Sequence, residues 1–486
     1  MATPQLVQHV DMNLCDGPAA PGTPGDTVYL GLGEKTLSGN ALIVFLEFNY
    51  SAAAISSVTD NAGNSYTLVG SIDDSNGEVL ACYAKFNSTA GATLLEVAFN
   101  GPPQWVGIKF EEWTNVTGVD TYTTYQQGSN STTILAASSS SKLSPTQTGD
   151  LILMAAWNMS FSTWAANPAT FSVGSQANIT WAFSNCSINA LDDSAEQYGV
   201  YNSTTAFQPQ MTSNVSTTWT AMAVALKVGS QGSAPGSQMR IAGIQHMYLD
   251  ATSSNSNTTQ LPTQGNLCVC LSTSGDGIPS ITSTGTNTAS WTSRISEVDA
   301  ETYNFYAQIL DSVNTSAGVS TITINFSAHA AGAHNVILLD VVGAATAPYD
   351  TSAGTPTQTQ SSGSTLPITW SGHAYTIQPS TSNGIVVCCV GINQGELTSL
   401  SSPPTGAWAI ACYDNSYTTG GDRDMDEDNG FCICHNSGTS QLTFTFNNYY
   451  PPAVDWSAAA VSYEAPALGG QVPYDPWPQA GPLLAQ

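Results

Sequence analysis

Positive charge is nearly missing from this sequence. Eight lysines and arginines stand against 35 aspartates and glutamates, a net charge of −27 over 486 residues. A field of that sign repels phosphate backbones and anionic lipid headgroups, which excludes nucleic acid and an acidic membrane surface as partners. The same scarcity leaves little with which to hold a nucleotide, and there is neither a G-x-x-x-x-G-K-[ST] loop nor a dinucleotide fingerprint. Charge of either sign is scarce, at 9% of residues, against the roughly one quarter of an ordinary globular protein. Ser, Thr, Asn and Gly supply the polarity instead, so the expected surface is hydrated and weakly charged.

Long apolar runs are lacking as well. No stretch approaches the roughly 18 residues that would span a bilayer as a helix. The N-terminal "MATPQLVQHVDMNLC" has no basic region followed by an apolar core. The expectation is a chain neither anchored nor exported. Catalytic signatures are also absent. His9, His246, His329, His334, His373 and His435 are scattered, and the serines have neither a G-x-S-x-G elbow nor a recognisable base.

Cysteine is present but does not divide evenly. Cys15, Cys82 and Cys186 precede the Gly/Ser/Pro segment "GSQGSAPGSQ" at 229–238 and seven follow it, so neither half can pair completely within itself. "NLCVCL" puts Cys268 and Cys270 on one strand face, and "GFCICH" does the same for Cys432 and Cys434. Their C-x-C spacing is too tight for a zinc knuckle. They read as small buried hydrophobes, reduced, as in a cytoplasm where thiols are kept from pairing.

What the sequence does have is repetition. Four strands open alike, "GNALIVFLEF" at Gly39, "GDLILMAAWN" at Gly149, "GNLCVCLSTS" at Gly265 and "GIVVCCVGIN" at Gly384. Each is followed by a polar turn, an aromatic, an acidic knot, a strand such as "ATLLEVAF" or "STITINF", and an apolar closing strand such as "WVGIKFEEW" or "WTAMAVALKV". Period-2 alternation, β-branched enrichment and regular turn residues predict an all-β fold. It consists of two tandem antiparallel β-sandwich or jelly-roll domains, residues 1–228 and 239–465, each built from two quasi-repeats of about 115 residues. Residues 229–238 read as a flexible linker and 466–486, rich in Pro and Gly, as an extended arm.

The acidic knots are the first chemical candidates. Asp422, Asp424, Asp426 and Asp428 have a D-x-D-x-D spacing that suits Ca²⁺, but Glu427 stands where an EF-hand loop needs its turn glycine. In "SIDDSNGEVLACYAKF" and "LDDSAEQYGVYNS" the acids are fewer and drift, as solvated hairpin turns would. "SEVDAETYNF" resembles the catalytic strand of retaining glycosidases with a laminarinase-like jelly roll. That resemblance implies Glu297 as nucleophile, Asp299 as its helper and Glu301 as acid/base, with the two working carboxylates about 5 Å apart. It covers five residues and the equivalent knots lack it, so no enzyme is expected. Trp105, Trp219 and Trp456 recur at the head of closing strands and read as core. Trp164, Tyr449, Tyr450, Tyr474 and Trp477 fall outside that rhythm.

"SVTDNAGNSYTLV", "TGDLILMAAW" and "TTWTAMAVALKVG" resemble the β-sandwich modules found in tandem in bacterial surface proteins and in virion proteins of tailed bacteriophages. The resemblance implies a non-enzymatic, multicopy component of a virion surface, assembled in the host cytoplasm: a capsid decoration or cement protein, or part of a fibre or spike. Its partners would be capsid or other virion proteins, docked through the arm around Tyr474, Pro476, Trp477 and Pro478. The alternative is a secreted bacterial adhesin or carbohydrate-binding protein on the cell surface, with glycan as ligand.

Overall fold

The computed structural model describes residues 2–15, 27–49, 54–73, 77–101, 103, 105–158, 170–188, 193–236, 238–249, 256–274, 277–278, 280–285, 290–299, 305–313, 318–326, 334–353, 357–360, 368–369, 377–393, 397–400, 407–413, 427–435, 439, 445–448, 455–466 and 483–484. Among them there is no helix, and the chain is all-β as its alternation predicts.

The first repeat contributes β1 (Gln5–Cys15), β2 (Thr27–Gly31), β3 (Ala41–Asn49), β4 (Ile55–Asp60), β5 (Thr67–Asp73), β6 (Glu78–Lys85), β7 (Leu94–Phe99) and β8 (Trp105–Thr114). The second gives β9 (Val116–Gln126), β10 (Ser131–Leu135), β11 (Asp150–Asn158), β12 (Phe171–Ser172), β13 (Trp181–Ile188), β14 (Asp193–Tyr201), β15 (Gln210–Thr217) and β16 (Thr220–Val228). The third gives β17 (Arg240–Leu249), β18 (Ser256–Thr263), β19 (Leu267–Ser274), β20 (Ser280–Gly285), β21 (Thr292–Asp299), β22 (Phe305–Val313), β23 (Gly318–Asn325) and β24 (His334–Val342). The fourth gives β25 (Thr357–Gln360), β26 (Ile368–Thr369), β27 (Ile385–Asn393), β28 (Leu397–Leu400), β29 (Ala407–Tyr413), β30 (Glu427–His435), β31 (Thr445–Asn448) and β32 (Asp455–Tyr463), with β33 (Leu483–Leu484) added at the edge.

Each repeat closes on itself. In the first, a large sheet β1-β8-β3-β6-β5 faces a small sheet β2-β7-β4, the eight-stranded double sheet of a jelly roll. Adding eight to every strand number reproduces the order in the second, third and fourth repeats. Small-sheet strands show the alternation best in β7, whose even-numbered residues are half-buried and odd-numbered ones buried. Large-sheet strands do not alternate. Ala41 to Leu46 are all buried, because one face (Leu42, Val44, Leu46) meets the small sheet and the other (Ala41, Ile43, Phe45) meets Leu151, Leu153, Met222 and Val224 of the second repeat's large sheet. A strand covered on both faces needs a continuous apolar run, and the four opening segments supply one.

The third and fourth repeats stack in the same way, with Val269, Leu271, Leu339 and Val387 in one core and Arg294 bonded to Asp311 at 2.7 Å and lying 4.4 Å over the Tyr349 ring. The two halves then fuse. β1 and β17 pair in parallel, His9 opposite Gly243, which makes one ten-stranded sheet of the order β21-β22-β19-β24-β17-β1-β8-β3-β6-β5. Equivalent strands lying side by side and parallel imply a local two-fold along the strand direction. Consistently, β13 packs beside β18 and β29 beside β2, two equivalent junctions. The Gly/Ser/Pro linker is seated on the first half, with Ser233 N donating to Asn40 Oδ1 at 2.8 Å and Asn115 N to Gln231 O at 2.7 Å.

Candidate functional site

The sequence-derived site residues fall mostly outside the described residues. Asp422, Asp424, Asp426, Glu301, Tyr474, Pro476, Trp477 and Pro478 all lie there, as do Trp164, Tyr449 and Tyr450. Glu297 and Asp299 end β21, and Asp428 sits in β30 opposite Ile392, with their side chains outside the described part. Trp219 is buried in the second repeat's core, donating Nε1–H to Ser131 O at 3.0 Å. Cys82, Cys268, Cys270, Cys388, Cys389 and Cys434 are buried and form no disulfide, and Cys268 and Cys270 share a core face with Leu261 and Ile322.

Carboxylates have structural work in this molecule that composition does not reveal. Four act as latches on the turn ahead of an opening strand: Glu112 accepts from Leu37 N, Asp120 from Thr146 N, Asp340 from Gln264 N and Gly265 N, and Asp350 from Ser380 N. Asp60 holds the "DNAGNSY" turn, accepting from Ala62 N, Asn64 N, Asn64 Nδ2 and Tyr66 Oη while Gly63 takes φ +82°. Glu34 joins three repeats, accepting from Ile241 N at 2.7 Å and lying 2.8 Å from His435 Nε2.

Two knot acids are not solvated at all. Glu78 and Glu196 are buried, Glu196 at the seam between the first and second repeats, where Glu111, Glu47 and the Lys109–Asp11 ion pair (3.0 Å) also lie. Lys109 additionally donates to Ser194 Oγ at 2.7 Å, and Trp113 Nε1 to Glu111 at 2.7 Å. Burial raises Glu111, with hydrogen bonds from Ser184 and Trp113 opposing, and burial followed by the charge of Glu111 raises Glu196 well above the carboxylate range. Glu111 and Glu196 are both buried in this seam, which favours the protonated form of each. Glu196 sits in a knot that reads as a turn, and the missed signal is the alternation Ser194, Glu196, Tyr198 facing a second covered sheet.

Among the described residues one open feature is a groove of about 750 Å³ where the first and second repeats meet at their edge strands β5 and β9. Its lining takes Ser65, Thr67 and Leu68 from the β5 side, Lys85 and Phe86 from the end of β6, and Asp120, Thr121 and Tyr122 from β9. A β-bulge between Leu68 and Gly70 breaks the alternation of β5 and turns Leu68 outward. The ring of Tyr122 rests on Gly70, where an added Cβ would stand 2.4 Å from it. Asp120 is already engaged by Thr146 and by Lys227 at 3.7 Å.

No family model matches this chain, and no curated protein matches it.

Proposed function

We propose that the chain is a non-enzymatic structural protein of a virion surface, a tailed-phage capsid decoration or cement protein or a component of its fibre or spike. The observation that carries this reading is the ten-stranded sheet that joins the first and third sandwiches, with the second and fourth stacked on it. Fused sheets resist shear better than beads on a linker, since separating the halves means breaking a strand ladder and opening dry sheet-on-sheet contacts. The internal use of carboxylates supports a load-bearing role, because latches and seams consume groups that an active site would present. Fold alone is a poor guide to function, so the reading also leans on the module resemblance and the weakly charged exterior.

Docking would run through the Pro-rich arm, Tyr474, Pro476, Trp477 and Pro478 inserting between capsid proteins, where proline-restricted chain loses little entropy. The test is to produce the particles with the full chain and with a chain lacking residues 467–486, then band them on a density gradient. The full chain is expected in the particle band and the shortened one at least about tenfold depleted, as loss of aromatic anchors implies. Equal banding refutes the arm, and absence of both from particles refutes the virion assignment. The alternative of a secreted adhesin has one observation in its favour, the groove at Tyr122.

A further inference from the structure

We infer that the groove between the first and second repeats binds a neutral oligosaccharide, with Tyr122 as its stacking platform. The inference holds whether the chain sits on a virion or a cell.

Among the described residues, three large hydrophobic side chains are exposed, Tyr29, Leu68 (49%) and Tyr122 (47%), and two of these three share this groove. Two of the three coincide at one place, as exposed apolar groups do at binding surfaces. Neither is exposed by accident of a loop. Leu68 is turned out by a bulge within β5, and Tyr122 lies in β9 opposite Val224. Gly70 gives the ring a bare backbone to lie against, so one side of it is supported and the rest faces the groove. A platform fixed in advance loses little entropy on binding.

The polar lining selects the ligand. Hydroxyls of Ser65, Thr67 and Thr121 offer both donors and acceptors. Lys85 and Asp120 are the charged residues of the lining and are of opposite sign, so the groove carries no strong local charge. The overall charge of −27 disfavours a polyanion. A pyranose matches this set, with an apolar C–H face for the ring and a rim of hydroxyls for the walls. The volume of about 750 Å³ lies within the roughly 300–1,000 Å³ of small-molecule clefts, enough for a short oligosaccharide.

The experiment uses the purified full chain on a printed panel of neutral gluco-, galacto-, manno- and N-acetylglucosamine oligosaccharides, followed by calorimetric titration of the strongest binder. Saturable binding is expected, weakened at least about tenfold by Tyr122→Ala and retained by Tyr122→Phe, since the ring face carries the stacking energy. Gly70→Ala is the sharper variant: it touches no ligand group, yet its Cβ pushes the ring off its seat, and binding should fall as for Tyr122→Ala. Leu68→Ser should weaken binding as well and serves if the Tyr122 variant fails to fold, which melting curves will show. Binding to none of the panel, or binding indifferent to both Tyr122→Ala and Gly70→Ala, overturns the inference. Capture of extended peptides with no sugar bound would also overturn it, assigning the groove to strand addition along β5 or β9.

Discussion

Single residues in this protein carry connections between repeats that are far apart in sequence. Glu34 is the sharpest case, since one carboxylate serves an amide of the third repeat and an imidazole of the fourth. Glu34→Ala leaves the buried Ile241 N–H without its acceptor and should cost about 2–3 kcal/mol, read as a lower urea midpoint, while Glu34→Gln keeps one acceptor oxygen and should cost less. Sequence reading could not find Glu34, because its partners are distant in the chain and no motif surrounds it. Glu196 was misjudged for the opposite reason. Its local setting, "DDSAEQY", has every mark of a solvated turn, and only the sheet stacked above it makes the position interior.

At the scale of strands, the decisive element is the parallel pair β1 and β17. Gly243 lies opposite His9, and a Cβ there would stand 2.4 Å from His9 Nε2. His9 is buried, so the ring has no room to yield. Gly243→Val should therefore open this ladder at a cost of about 1–3 kcal/mol. Hydrogen exchange is the measurement: amides of β1 and β17 should exchange faster in the variant while those of β11 and β16 keep their protection. Strand identity was legible from sequence at this scale, down to which strands open and close a repeat. Apolar runs such as "ALIVFLEF" do not alternate, unlike "LLEVAF" of a small sheet, but what covers their second face was not legible from the strand alone. The pairing of β1 with β17 was not, because two edge strands advertise only unsatisfied backbone, and any edge can take any other.

At the scale of the whole molecule, stability should depend on pH through the buried carboxyls. Burial raises Glu111 and Glu112 from 4.5 to about 7, and Asp340 from 3.8 to about 6, against the hydrogen bonds each accepts. Between the ordinary and the raised values the folded chain holds more protons than the unfolded one, so stability is greatest below that window and is lost as pH rises through it. His9 works the other way, lowered to about 4 by burial and then by Arg240, so its share is lost as pH falls below its ordinary value of 6.5. Several carboxyls against one imidazole leave the carboxyls ahead. Unfolding in urea should accordingly show a stability gain of at least about 2 kcal/mol from pH 8 down to about pH 5, and a flat or inverted profile would mean that these seams admit water.

By itself the sequence determined an all-β chain, a fourfold repeat, the opening and closing strands, and cysteines that pack as hydrophobes. Those properties follow from local periodicity and composition, which short stretches of chain express without reference to the rest. Only the tertiary structure decided that each repeat closes on its own small sheet, that large sheets stack back to back, and that the two halves share one ladder. It also decided which acids are solvated and which are sealed in a seam, and it built the Tyr122 groove from two strands whose sequences give no hint of each other. Each of these depends on which face meets which, a relation between distant segments that alternation along one strand does not encode.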